Sequence, residues 1–459
     1  MNRARHLLLT IVLAALVAAG CTSSDDATAS DEPDTGQPPS TTQPDDTEPS
    51  GDDGDDVDAA TTTGPSTTPV DLTASFRGVT EDVIRVGVVA IDFDRLAEAG
   101  VVIESGDAAA FYTAALEAIN DRGGILGRQL ELTTERYLPV GSTEADQLCV
   151  KLTEDVEVFM VVGAIRLDQI LCYTEQHETA AIAVSQQNQE RIDRANAPYV
   201  SVRGRTDTRS TAWVDAMVEA GVFEGETVGV LGLADADEEL YNETVAALRA
   251  AGIDSVDGFV TANGCDQVAN RAGTEVILEK FRAEGVTVTV HASPIADGLE
   301  IAQDNSYETT WLQNPAIGAG ALTTAGVDHS YVDGMLSLMP TAVGTVDQPA
   351  MADDPAVAEC VATIEERTDE TVDYALGAEE GNVGLAINAC GAATILELAL
   401  TAAGADLTNE SLATALAGLG EFSMAGFPTA SLGPDDFAAA DAGELAGFST
   451  TGGAWEFVS

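Results

Sequence analysis

Residues 118–132 read Ala118-Ile-Asn-Asp-Arg-Gly-Gly-Ile-Leu-Gly-Arg-Gln-Leu-Glu-Leu132. Upstream, Asp107 to Asp121 has a helical period, with Phe111, Ala114, Ala115, Ala118 and Ile119 on one face. Gly123 and Gly124 stop that helix, most simply through a left-handed turn. Gly127 then turns the chain into Gln129 to Glu135, which alternates as a strand does. Before the helix, Val83 to Ala90 is an apolar, β-branched run that reads as a buried strand. The stretch therefore joins a strand–helix–strand unit, whose two strands pair in parallel by a right-handed crossover.

The same alternation continues outward. Helices are predicted at Thr143 to Glu154, Leu167 to His177, Thr208 to Ala220, Glu238 to Ala251 and Asn270 to Glu284. Strands are predicted at Val156 to Gly163, Ala181 to Ser185, Thr227 to Leu233, Gly258 to Thr261 and Val286 to His291. Two runs of this pattern, before and after about residue 204, predict an α/β chain of two doubly wound parallel-sheet lobes. The later chain is less regular. Ala378 to Ala403 reads as one or two apolar helices and Asn409 to Ala417 as a short one.

The first 21 residues have the layout of a secretory signal: Arg3 and Arg5, an apolar run from Leu7 to Ala19, then small residues before Cys21. The apolar run is short for a membrane span, which takes roughly 20 residues. Ala18-Ala19-Gly20-Cys21 resembles a bacterial lipobox, with Ala18 where leucine is usual. That resemblance implies lipidation of Cys21, a membrane anchor and an extracytoplasmic location; a plain signal with an incidental cysteine is the alternative. Thr22 to Ser75 carries fourteen Asp or Glu, no Lys or Arg and no aromatic residue. Such a segment has little to bury and is expected to act as a disordered tether, its ends about 40 Å apart. The alternative is a segment that folds on a partner.

The remaining 384 residues, Phe76 to Ser459, exceed one ordinary core and point to two domains. The chain has 77 acidic and 20 basic residues, a net charge of −57. Nucleic acid is excluded as a partner, because phosphate contacts require basic surface. The acidity itself reads as solvation in a salty habitat rather than as a cation site. Five cysteines remain beyond Cys21, and no spacing among them suits zinc. Cys149 with Cys172, and Cys360 with Cys390, are candidate disulfides; buried free thiols are the alternative, and the odd number means that at least one cysteine, Cys265 on this pairing, is free or pairs between molecules. The sequence contains no His-Glu-x-x-His, Gly-x-Ser-x-Gly or phosphate loop. No catalytic residue, metal or cofactor is expected.

The 118–132 stretch closely resembles the A-I-N-x-x-G-G-I-x-G-R-x-L-E-L segment of type I periplasmic substrate-binding proteins of the leucine/isoleucine/valine-binding family. Glu81 to Ala90, Val161 to Ala164, Tyr199 to Asp207, Leu248 to Ile253 and Gly384 to Gly404 follow the same family order. The resemblance implies two lobes joined by three crossovers, 76–203 with 321–418 and 204–320 with 419–459. It implies a small polar solute held between them, an amino acid, amide or urea-like compound. It implies ABC permease and ATPase subunits as partners, and a monomer; a sensory lipoprotein without transport is the alternative.

The strand ends that would face the solute are Ile91 to Phe93, Ala164 to Arg166, Ser185 to Gln187, Asp235 to Tyr241, Ala292 and Ser293, and Gly318 to Gly320. From these the candidate ligand-binding residues are Ala164, Arg166, Ser185, Gln186, Tyr241 and Ser293. Tyr241 approximates the family's lid tyrosine, with Asn242 in place of glycine; an ordinary helix-face aromatic is the alternative. The family's serine-rich strand end is replaced by Ala164-Ile165-Arg166, and its acidic ammonium partner by Gly318 to Ala321, so the α-amino-acid clamp does not carry over. Arg166 could grip a carboxylate or pair with Asp168. Asp92 and Asp235 could take a cation or simply face solvent.

Overall fold

The computed structural model describes residues 72–98, 106–139, 142–185, 187–233, 238–261, 267–317, 322–323, 325–339, 353–374, 382–440, 443–450 and 454–458. The signal sequence with Cys21, nearly all of the tether, Gln186, Asp235, Cys265 and Gly318 to Gly320 lie outside these residues.

The helix Ala108–Asp121 is capped by Asp107, whose carboxylate accepts from the Ala110 N–H at 3.1 Å. At its other end Gly124 has φ +69°, and a Cβ there would stand 1.9 Å from the Arg128 carbonyl oxygen. No other residue fits that turn. Asn120 then spans the turn, its amide donating to Leu130 O at 2.9 Å and accepting from Leu130 N at 2.6 Å. Arg128 is 1 % exposed and gives its guanidinium to the carbonyls of Thr80, Thr73 and Ala405, at 2.8–2.9 Å. Asparagine, glycine and arginine of the 118–132 stretch thus each fix backbone: Asn120 and Gly124 set the helix-to-strand turn, and Arg128 ties two distant loops to it.

The strands of the first sheet are β1 (Val83–Ile91), β2 (Gln129–Tyr137), β3 (Met160–Gly163), β4 (Ala180–Ala183) and β5 (Tyr199–Ser201). All run parallel in the order β2-β1-β3-β4-β5. Val86 faces Leu132 on one side and Met160 on the other, which sets the register. β3 ends at Gly163, with φ +133°, where a Cβ would lie 2.1 Å from Val89 O. The predicted strand Val156 to Gly163 is shorter in the structure, because Val156 N and Val158 N bond back to the carbonyls of Lys151 and Leu152 in the π-helical turn Lys151–Asp155, and Glu157 between them has φ +57°.

The second sheet holds β6 (Val228–Leu233), β7 (Ser255–Val260), β8 (Val288–Ala292), β9 (Thr310–Asn314) and β10 (Leu336–Met339). These five are parallel, in the order β10-β9-β8-β6-β7. After a two-stranded ribbon, β11 (Gly420–Met424) and β12 (Phe427–Leu432), the strands β13 (Glu444–Ser449) and β14 (Ala454–Phe457) extend the β10 edge antiparallel.

Lobe boundaries differ from those expected. β10 and the 3-10 turn His329–Val332 belong to the second lobe, where Val327, Val332 and Met335 pack with Trp311 and Trp455. Residues 420–440 belong to the first, where Met424, Phe427, Leu432 and Ala439 join its core. The reason is pairing: Ser201 N donates to Phe437 O at 2.8 Å and Ala439 N to Ser201 O at 2.9 Å, so this segment covers the free edge of β5. The first lobe is completed by helices Pro355–Arg367, Val383–Ala403 and Asn409–Ala417. Val383–Ala403 is long and apolar enough to cross a membrane, and its buried residues place it in this core. Disulfides join Cys149 to Cys172 and Cys360 to Cys390.

Candidate functional site

Parallel sheets place the ends of several strands along one edge, and short turns there leave backbone groups and side chains free to meet a ligand. In the first lobe that edge carries Asp92 after β1, Ala164 to Arg166 after β3, Ser185 and Gln187 after β4, and Arg203 after β5. In the second it carries Ser293 after β8 and Asn314 at the end of β9.

Ala164 and Ser185 come together because β3 and β4 are neighbours, Gly163 opposite Ala183. The Ser185 hydroxyl donates to Ile165 O. Gln187 donates from Nε2 to Ser185 Oγ at 3.0 Å and to Ile165 O at 3.3 Å, while its buried Oε1 has no partner among the described residues. Ala164 O accepts from the Tyr137 hydroxyl at 2.8 Å. Burial pushes the Tyr137 phenol up to about 12, against the opposing charge of Arg166. Arg166 therefore lies at this edge, half-buried. It does not pair with Asp168, which takes Arg191 Nε at 2.9 Å instead. Asp92 turns its carboxylate to the Arg95 N–H at 3.1 Å, as a local cap.

Two expected residues are buried within the second lobe. Tyr241 is 7 % exposed and packs in the second lobe's own core, its ring centroid 4.9 Å from that of Phe259 and its edge over Gly232. The helix Glu238–Ala250 turns its apolar stripe of Leu240, Tyr241, Thr244, Val245 and Leu248 inward, and Tyr241 belongs to that stripe. It is a core aromatic, not a lid. Ser293 is fully buried: its Oγ accepts from Ile295 N at 3.2 Å and its carbonyl from Gln313 Nε2 at 2.7 Å. Gln313 also meets His291 Nδ1 at 2.9 Å, and burial lowers His291 to about 4, so this imidazole is neutral. Ser293 thus closes a structural network behind β8.

The lobes meet through groups that the sequence did not single out. Arg191, on the short first-lobe helix Gln189–Arg194, is 5 % exposed. Both of its Nη atoms grip the Glu239 carboxylate at the start of the second-lobe helix, one of them at 2.9 Å. Thr206, in the first crossover, donates from N to Gln187 O at 2.9 Å and from Oγ1 to Glu239 at 3.3 Å. Beside them Glu243 is raised to about 7, chiefly by burial. Isolated arginine and glutamate residues in an acidic chain carry no spacing signal, so only the fold brings them together. A separate groove of about 200 Å³ lies over the Cys360–Cys390 bridge, on the outer helix layer of the first lobe and away from these strand ends.

No family model matches the chain, and no curated protein matches it. Solved structures do. An ABC transporter substrate-binding protein from Desulfitobacterium hafniense, in complex with Leu, is 18% identical, covering 82% of this chain and 100% of its own at a TM-score of 0.56. A solute-binding protein of an ABC transporter from R. palustris, in complex with 4-hydroxybenzoate, is 13% identical over 82% of this chain and 96% of its own, at 0.58. A leucine binding protein from Thermotoga maritima is 14% identical over 82% of this chain and 98% of its own, at 0.56. With two largely parallel sheets and a chain that passes three times between them, this protein has the fold of the type I periplasmic substrate-binding proteins.

Proposed function

We propose that this chain is an extracytoplasmic solute-binding lipoprotein that closes its two lobes on a small polar solute and hands it, unchanged, to an ABC permease with its ATPase subunits. The observation that carries this reading is the linked pair of strand-end edges: polar backbone and side chains of Ala164, Arg166, Ser185 and Gln187 on one lobe, joined beside the first crossover to the other lobe through Arg191 and Glu239. A hinge at such a crossover lets one edge move toward the other. The solute class read from the sequence is an amino acid, amide or urea-like compound. Acylation of Cys21 would hold the protein at the membrane, since more than one acyl chain anchors stably. The acidic stretch after it would space the folded body from the bilayer.

A thermal-unfolding screen of the full-length chain against amino acids, amides and ureas tests this. A solute present at 100 times its dissociation constant is expected to add about 2.7 kcal/mol of stability. If no member of the three classes stabilises the protein, the reading is wrong.

A further inference from the structure

Arg203 stands two residues beyond β5, on the same strand-end edge as Ser185. Its Nε donates to Asn388 Oδ1 at 3.0 Å. Among the described residues no carboxylate pairs with it. Most described Lys and Arg side chains of this acidic chain pair with a carboxylate, although Arg128, bonded to three carbonyls, also does not. Arg95, Arg136 and Arg194, for example, each hold a carboxylate. Burial lowers the pKa of the Arg203 guanidinium, and the group that acts on its charge is the phenol of Tyr112.

Tyr112 supplies an independent observation. It is 0 % exposed, and its hydroxyl has no hydrogen-bond partner among the described residues. A buried hydroxyl without a partner is costly, and phenylalanine would fill the same core without that cost. Tyr112 lies early in the helix Ala108–Asp121, and Asn388 early in the helix Val383–Ala403. The amino ends of both helices are neighbours, since a Cβ on Gly106 would stand 3.1 Å from the Asn382 amide. Glu370 and the capping Asp107 already bring carboxylates to these helix ends, so it is the guanidinium without a counter-charge and the unused hydroxyl that favour an anion.

We propose that Arg203, Tyr112 and Asn388 form a subsite for the carboxylate of the bound solute. Arg203 donates to the carboxylate, Tyr112 adds a hydroxyl hydrogen bond, and Asn388 holds the guanidinium in place. The inference rests on the solute-binding reading and narrows it to small carboxylic acids, against neutral amides and ureas.

The test uses calorimetric titration of the full-length chain in mild detergent with four probes: L-leucine, L-leucinamide, 4-hydroxybenzoate and 4-hydroxybenzamide. At least one acid is expected to bind about tenfold or more tighter than its amide. Arg203→Gln should weaken that acid by about thirtyfold or more, and Tyr112→Phe by about threefold to tenfold, each weakening the amide by less. Tyr112→Phe removes one oxygen and keeps the core filled, so it reports even where Arg203→Gln misfolds. The proposal is overturned if neither acid binds, if acid and amide bind alike, or if Tyr112→Phe leaves acid affinity unchanged. It is also overturned if Arg166→Gln abolishes acid binding and Arg203→Gln does not. Binding of an amide without its acid overturns the subsite and leaves the solute-binding reading standing. Silence from all four probes overturns the subsite, and the wider screen above then decides the solute-binding reading on its own.

Discussion

Arg191 of the first lobe grips Glu239 of the second with both Nη atoms, and its Nε holds Asp168 at 2.9 Å. The guanidinium is almost wholly buried, so its two carboxylates replace the water it has lost. Removing one leaves a buried charge half-compensated, which costs more than the pair gains. Glu239→Gln is expected to lower stability by about 1–3 kcal/mol in urea unfolding. A change under about 0.5 kcal/mol would show the clasp to be only a surface pair.

Glu243 sits beside that clasp. Burial pushes its carboxyl up to about 7; a Thr206 hydrogen bond opposes this, the Glu239 and Asp207 charges reinforce it, and Arg191 opposes it. The folded state therefore keeps a proton that the unfolded chain releases near its ordinary value of 4.5. Folded protein binds more protons between these values, so this group's contribution is intact below pH ~4.5, falls as pH rises, and is fully lost above ~7. Relative to the parent, Glu243→Gln is expected to gain about 1–2 kcal/mol at pH 8 and nothing at pH 4. Chemical unfolding at both pH values checks this; an equal gain at both would assign the effect to packing.

Much of the fold was legible before any coordinates because Asn120, Gly124 and Arg128 each satisfy backbone groups, and only those residue types do so at those places. Of the strands up to β8, all but the three-residue β5 announce themselves, most by apolar, β-branched runs. β9 to β14 did not, because they are short strands, four to six residues long, without a clean alternation. The boundary errors at residues 321 and 419 follow from them. The site was less legible still. Strand ends located Ala164, Arg166 and Ser185 at the edge, yet Tyr241 was misplaced because its helix shows several inward residues and the sequence does not say into which core they point. Arg191, Glu239, Arg203 and Tyr112 bear no motif; their roles arise from partners 23 or more residues away.

Tyr241 is expected to act through stability rather than through solute affinity. As a core ring stacked on Phe259 and seated over Gly232, its truncation to alanine should cost about 3–5 kcal/mol of stability. Tyr241→Phe should keep both stability and solute affinity. Loss of affinity in the folded Tyr241→Phe protein would restore the lid.

Cys21→Ser is expected to move the protein from the membrane fraction to the soluble extracytoplasmic fraction, because no acyl chain is then attached. Fractionation after labelling with a radioactive fatty acid reports both effects. A variant that stays with the membrane like its parent contradicts the anchor.

Closure of two lobes around an unaltered solute is the central claim, and small-angle scattering of the full-length chain measures it directly. The first solute found in the stability screen is added at saturation, then recovered and identified by mass spectrometry. The account predicts a smaller radius of gyration with solute than without, and a recovered solute of unchanged mass. A radius that does not change while calorimetry shows binding, or a solute returned chemically altered, would contradict it.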